Sequence, residues 1–149
     1  MSINSSAYVR DFSACALLAV SCLFAQLDHR MIATVPFDFV VSNRHLAAGT
    51  YTVTTNLNQG TVLIRGEDNG SAQFTITIAT QARKTQEHEK LVFNRYGERY
   101  FLRQVWQSGM DRGRELPASK AEQEFARIIG KPEIVSLLVS APGMRRSAR

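Results

Sequence analysis

The chain has 149 residues, with 18 Lys and Arg against 13 Asp and Glu for a formal net charge of +5, and two cysteines. Its basic residues are scattered, with Arg145, Arg146 and Arg149 as the one cluster, so the charge reads as a solvated surface and not as a nucleic-acid-binding tract. Both cysteines, Cys15 and Cys22, lie in one apolar run near the N-terminus; if that run is removed, no thiol remains for disulfide, zinc–cysteine or thiol-nucleophile chemistry.

That run, residues 12–24 (FSACALLAVSCLF), carries no charge, follows Arg10 and gives way to Asp28, His29 and Arg30. This is the layout of a secretory signal peptide, and it is shorter than the roughly 20 apolar residues of a membrane-spanning helix. A helical signal peptide is therefore expected over residues 1–25, and cleavage after Ala25 leaves 149 − 25 = 124 residues, enough for one core without disulfides. Two alternatives compete: a buried apolar helix of the folded domain, and a lipoprotein anchored through Cys22, which ranks lower because Ala19 sits where a larger aliphatic residue is usual. The expected product is a periplasmic or extracellular protein with one β domain over residues 26–141. A disordered basic tail follows over residues 142–149.

From Thr34 the pattern has period two, with Val35, Phe37, Phe39 and Val41 on one side and Asp38 on the other, as in a half-buried antiparallel strand. Pro36 marks its start or an edge. Residues 43–49 read as a loop, and residues 50–55 as a second strand with Tyr51 and Val53 on one face. Turns at residues 58–60 and 67–70 bracket a strand over 61–65 and lead into a strand over 73–79, with Phe74, Ile76 and Ile78 expected inward.

Residues 81–89 are polar and read as a long surface loop. The next segment, LVFNRYGERYFLRQVW, reads as a hairpin turning at Gly97 and Glu98, pairing Phe93 with Leu102 and Arg95 with Tyr100. Leu91, Phe93, Leu102 and Trp106 then share one face, and Asn94, Tyr96, Arg99 and Arg103 the other. Ser119 to Glu122 fits a capping box opening a helix whose Phe125, Ile128 and Ile129 are spaced to bury one side, stopped by Gly130 and Pro132. Residues 133–140 (EIVSLLVS) read as a last strand. The fold class is mainly β: a single antiparallel β-sandwich or barrel of about seven strands, with one late α-helix plugging an open end or covering an edge.

The three histidines, His29, His45 and His88, fall in stretches read as loop and have no ligand partner at metal-binding spacing; Glu87, His88 and Glu89 are adjacent and point in different directions. Asp38 is the one acid in an apolar strand, and its parity points it to solvent or a cross-strand Arg. There is no nucleophile elbow, phosphate-binding glycine loop or dinucleotide fingerprint. No catalytic, cofactor-binding or metal residue is assigned. Tyr96, Arg99 and Arg103 form the most suggestive surface, because aromatic rings beside guanidinium groups stack sugars or hold anionic polymers.

At VPFDFVV (residues 35–41), LAAGTYTV (46–53), KLVFNRYGERYFLRQVW (90–106) and GRELPASKAE (113–122) the chain resembles a family of small exported proteins numerous in soil acidobacteria, over roughly residues 34–127. A proline is expected where Ala47 stands. The resemblance implies export and a β fold, and it carries no functional residues. The expectation is an exported, non-enzymatic β domain that binds an anionic envelope polysaccharide, a lipid or another exported protein, with Tyr96, Arg99 and Arg103 as its contacts. A barrel-type carrier of a small apolar ligand is the alternative, and an uncharacterised hydrolase the second.

Overall fold

The computed structural model describes residues 28–139, so the expected signal peptide, both cysteines and the basic tail lie outside the described residues. In chain order the elements are β1 (Asp28–Val35), β2 (Phe39–Val41), β3 (Arg44–Leu46), β4 (Gly49–Asn56), β5 (Thr61–Gly66), β6 (Ala72–Ile76), β7 (Ile78–Gln81), β8 (Lys90–Tyr96), β9 (Arg99–Trp106), β10 (Arg112–Glu115), α1 (Lys120–Ile129) and β11 (Glu133–Leu138). The protein is mainly β. One four-stranded sheet runs β1-β4-β5-β6, and a seven-stranded sheet runs β11-β8-β9-β10-β7 with β2 and β3 attached alongside β9. The strands form two open sheets and do not close into a barrel, so the fold is sandwich-like.

Side-chain alternation builds the core. Met31, Ala33 and Val35 of β1, Tyr51 and Val53 of β4, and Val62 and Ile64 of β5 meet Phe39, Val41, Leu91, Phe93, Leu102 and Val105 of the second sheet. Phe39 stands edge-on to both Tyr51 (5.2 Å) and Phe93 (5.6 Å), which ties the two layers through aromatic contact.

The expected hairpin forms in the expected register, Phe93 opposite Leu102 and Arg95 opposite Tyr100. The register then shifts between Val92 and Phe93, where β9 carries an extra residue: Val92 faces Gln104, and Arg103 has no partner across the ladder. This bulge reverses the parity beyond it. Val105 takes the core position expected of Trp106, and Trp106 lies with its ring over Gly113 on the neighbouring strand.

Four further expectations are corrected. The strand drawn from Thr34 onward is two strands: the chain leaves the first sheet at Pro36, which has no N–H for a ladder, and enters the second at Phe39. The loop over residues 43–49 contains β3, paired with β2. The strand over 73–79 breaks at Thr77, whose N–H and hydroxyl both bond Gly60 O (2.7 and 2.8 Å) as the chain passes from one sheet to the other. Its apolar residues face outward, with Phe74, Ile76 and Ile78 between 58% and 71% exposed; Thr75 takes the inner side, its hydroxyl meeting Ser42 Oγ at 2.9 Å.

The helix begins and ends where the capping residues place it, with Ser119 Oγ accepting from Glu122 N (3.2 Å) and Gly130 closing it at φ 95°. It neither plugs an end nor covers an edge. It lies over the outer face of the seven-stranded sheet, with Phe125 and Ala126 packed on Val40, Tyr96 and Phe101. Ile128 and Ile129 remain exposed, because only one turn of the helix reaches the sheet.

Candidate functional site

The hairpin face singled out by sequence is divided by the helix. Tyr96 is buried beneath α1, 5.8 Å from the Phe101 ring, and Phe101 in turn meets Phe125 at 5.8 Å. Burial pushes the Tyr96 hydroxyl above its usual range, the nearby Glu122 carboxylate adds to the rise, and Arg103 opposes it. Arg103, the bulge residue, is held by Glu115 (2.8 Å) and by Leu116 O (2.5 Å). Of the three residues only Arg99 is exposed, with its guanidinium 5.9 Å from the Phe125 ring.

Asn94 explains why the helix sits there. It is a buried amide between Phe93 and the half-buried Arg95, and its Nδ2 donates to the buried Glu122 carboxylate at 2.7 Å. The residue read from sequence as the second half of a capping box therefore reaches into the sheet. A buried polar group left unbonded costs about 1–3 kcal/mol, so each member of this pair requires the other. The sequence signal was available: a lone Asn between Phe93 and Arg95, on a strand face that also carries Tyr96.

Beside Arg99 lies a depression of about 310 Å³ lined by Asp38, Phe39, Val40, His45, Glu98, Arg99 and Tyr100. It brings together the two isolated sequence candidates, Asp38 and His45, with a second acid and a guanidinium. The convergence is tertiary: Asp38 precedes β2, His45 lies opposite Val40 on β3, and Glu98 and Arg99 come from the turn of the β8–β9 hairpin. The Asp38 carboxylate accepts Ala48 N–H at 2.8 Å and so holds the chain between β3 and β4. Tyr100 forms a wall, stacked on Phe37 at 3.8 Å with the Arg95 guanidinium 5.4 Å from its ring. Carboxylates and a guanidinium around one shallow hollow walled by the Tyr100 ring can hold a hydroxylated or charged ligand by paired hydrogen bonds.

His88 lines a separate hollow with Lys84, Glu87 and Lys90. His29 is half-buried: its Nε2 meets the buried Glu89 Oε1 at 2.5 Å and ties β1 to the start of β8. Among the described residues Glu89, Thr55, Gln107 and Arg114 each bury a side-chain atom without a hydrogen-bond partner. Among the described residues no three His, Cys, Asp or Glu side chains gather as metal ligands, and no helix is long and apolar enough to cross a membrane.

Among the described residues no element covers the outer face of the four-stranded sheet. Arg30 with Thr54 and Leu63, and Ile32 with Thr52 and Arg65, form successive cross-strand rows along it. A hollow of about 400 Å³ there is lined by Asp28, Arg30, Thr52, Thr54, Leu63, Arg65 and Glu67. No family model matches the chain, and no curated protein or solved structure matches it.

Proposed function

We propose that this protein is an exported, non-enzymatic β domain of the small acidobacterial family it resembles, and that it binds an envelope component or another exported protein. The observation that supports this reading is the hollow where Asp38, His45, Glu98 and Arg99 meet beside the Tyr100 ring, because charges of both signs around an aromatic wall favour recognition of a hydroxylated or charged partner. Arg99 is the one residue of the hairpin face that a partner reaches, so Arg99→Ala, paired with Glu98→Gln, is the informative change. Envelope polysaccharide, lipid vesicles and exported-protein fractions are to be screened with the native chain and both variants. Binding that weakens in the variants while the melting temperature holds supports the reading, and binding that ignores both substitutions sinks it.

Export itself is tested by cell fractionation with intact-mass analysis, for which a species beginning near Gln26 outside the cytoplasm is expected. A second reading, a hydrolase, draws on the same convergence of Asp38 with His45 and Glu98, which offers an acid and a base in one hollow. Turnover of chromogenic esters or glycosides that is lost in His45→Gln would favour it over simple binding.

A further inference from the structure

The two sheets end in edge strands that are treated differently. Along β6 the pairing of Thr77 N–H with Gly60 O fixes which backbone groups face β5, so those of Ala72, Phe74 and Ile76 point away from the sheet. Each of these outward carbonyls accepts a side-chain donor: Ala72 O from Arg44 (3.2 Å), Phe74 O from Gln73 (3.0 Å) and Ile76 O from Thr75 (3.3 Å). The outward carbonyls of that edge are therefore occupied although its side chains are apolar.

β11 is the opposite case. Val139 N–H bonds Glu89 O at 2.8 Å, in step with the β8–β11 register, so Ile134, Ser136 and Leu138 direct their N–H and C=O groups away from β8. Among the described residues none of these groups has a partner. Ile134 is 62% exposed and Leu138 64%, and the segment from Ile134 to Leu138 carries no charge. The exposed side chains of the edge strand β1, by contrast, include Asp28 and Arg30.

We infer that β11 pairs with β11 of a second copy of this chain, antiparallel across a two-fold axis at Ser136. The strand is self-complementary in that register. Ile134 faces the other copy's Leu138, Ser136 faces itself, and the outward N–H and C=O groups of all three residues find partners in the second copy. Both sides of the extended sheet match as well. On the core side Val135 meets Leu137, both already packed against the core, so the apolar layer beneath β8 continues from Leu91 and Phe93 of one copy to those of the other. On the outer side each Leu138 sits beside Lys90 and each Ile134 beside Asn94, so the four exposed aliphatic side chains form one patch bordered by polar groups. A one-residue slip sets Ile134 against Leu137, side chains of opposite faces, and loses this match. The interface is one strand wide, below the size of a permanent dimer, so the dimer is concentration-dependent.

The test is the solution mass of the full chain by sedimentation velocity, over about 1 to 100 µM. A monomer–dimer equilibrium is expected. Leu138→Lys, at a position exposed in the monomer, weakens it about tenfold or more without lowering the melting temperature. In a Cys15→Ser, Cys22→Ser background, Ser136→Cys places the two thiols opposite one another and yields a covalent dimer on mild oxidation, read by intact mass. Hydrogen exchange distinguishes the remaining cases. A monomer at all concentrations whose Ile134, Ser136 and Leu138 amides are protected means that another segment of the same chain covers the edge; a monomer with those amides unprotected means that the edge stays open. Either monomer overturns the inference, as does a dimer that Leu138→Lys and Ser136→Cys leave unaffected.

Discussion

The outer faces of the two sheets start from the same alternation and reach opposite ends. On the four-stranded sheet Thr52, Thr54, Arg30 and Arg65 look outward and stay in solvent, with Thr52 bonded to Glu67 and Asp28 to Asn56 (2.7 Å). On the seven-stranded sheet Tyr96, Phe101 and Val40 occupy the corresponding side and are buried under α1, while Trp106 lies flat over Gly113. What differs is the chemistry of the exposed rows. Threonine and arginine satisfy themselves with water and neighbours, whereas a run of aromatic rings around one amide must be covered, and α1 brings the carboxylate that the amide needs. A sheet face is covered when its own side chains cannot be left wet.

The largest test of this contrast is Gly113→Ala. A methyl group there would come within 2.7 Å of Trp106 Cε3, against a buried ring with little room to move, so a loss of about 2 to 3 kcal/mol is expected in urea unfolding. Next is Glu122→Ala, which strands Asn94 and loosens the helix. A cost of about 1–3 kcal/mol follows, Glu122→Gln should restore part of it, and hydrogen exchange should show α1 opening before the sheets.

A smaller effect is expected from pH. Because the folded state holds the Tyr96 proton more tightly than the unfolded chain, this contribution is complete below the unfolded tyrosine value of about 10 and is lost as pH rises through the folded one. Alkaline melting curves of Tyr96→Phe should therefore fall less steeply than those of the native chain. Least of all, Arg65→Ala on the open face should move stability by less than about 0.5 kcal/mol. A larger loss there would show that the two faces are not treated differently after all.

Much of the local structure was legible because it depends on neighbours in sequence. The Gly97 turn, with its φ of 60°, fixed the hairpin register; Ser119 and Gly130 bounded the helix; and the alternation at Tyr51 and Val53 identified the core side of β4. The errors came from parity and partnership. Apolarity alone points Phe74, Ile76 and Ile78 inward, and nothing local shows that Ser42, distant in the chain, bonds Thr75 on the inner side. Alternation points Trp106 to the core, because a single extra residue in β9 leaves no mark in an alternating pattern. Of the candidate surface, Arg99 could be read from sequence, but its company could not: Asp38 and His45 join it only because β2 and β3 dock beside β9.

By itself, then, the sequence determined a mainly β chain with one capped helix, the turns between its strands and the residues able to enter a core, since each follows from backbone preference and short-range periodicity. Only the tertiary structure decided that the strands divide into two open sheets, that the helix covers one face through Asn94 and Glu122, and that the outward carbonyls of β6 are occupied while those of β11 have no partner among the described residues. Those outcomes depend on which distant backbone and side-chain groups find hydrogen-bond partners, and a one-dimensional pattern records the groups without their partners.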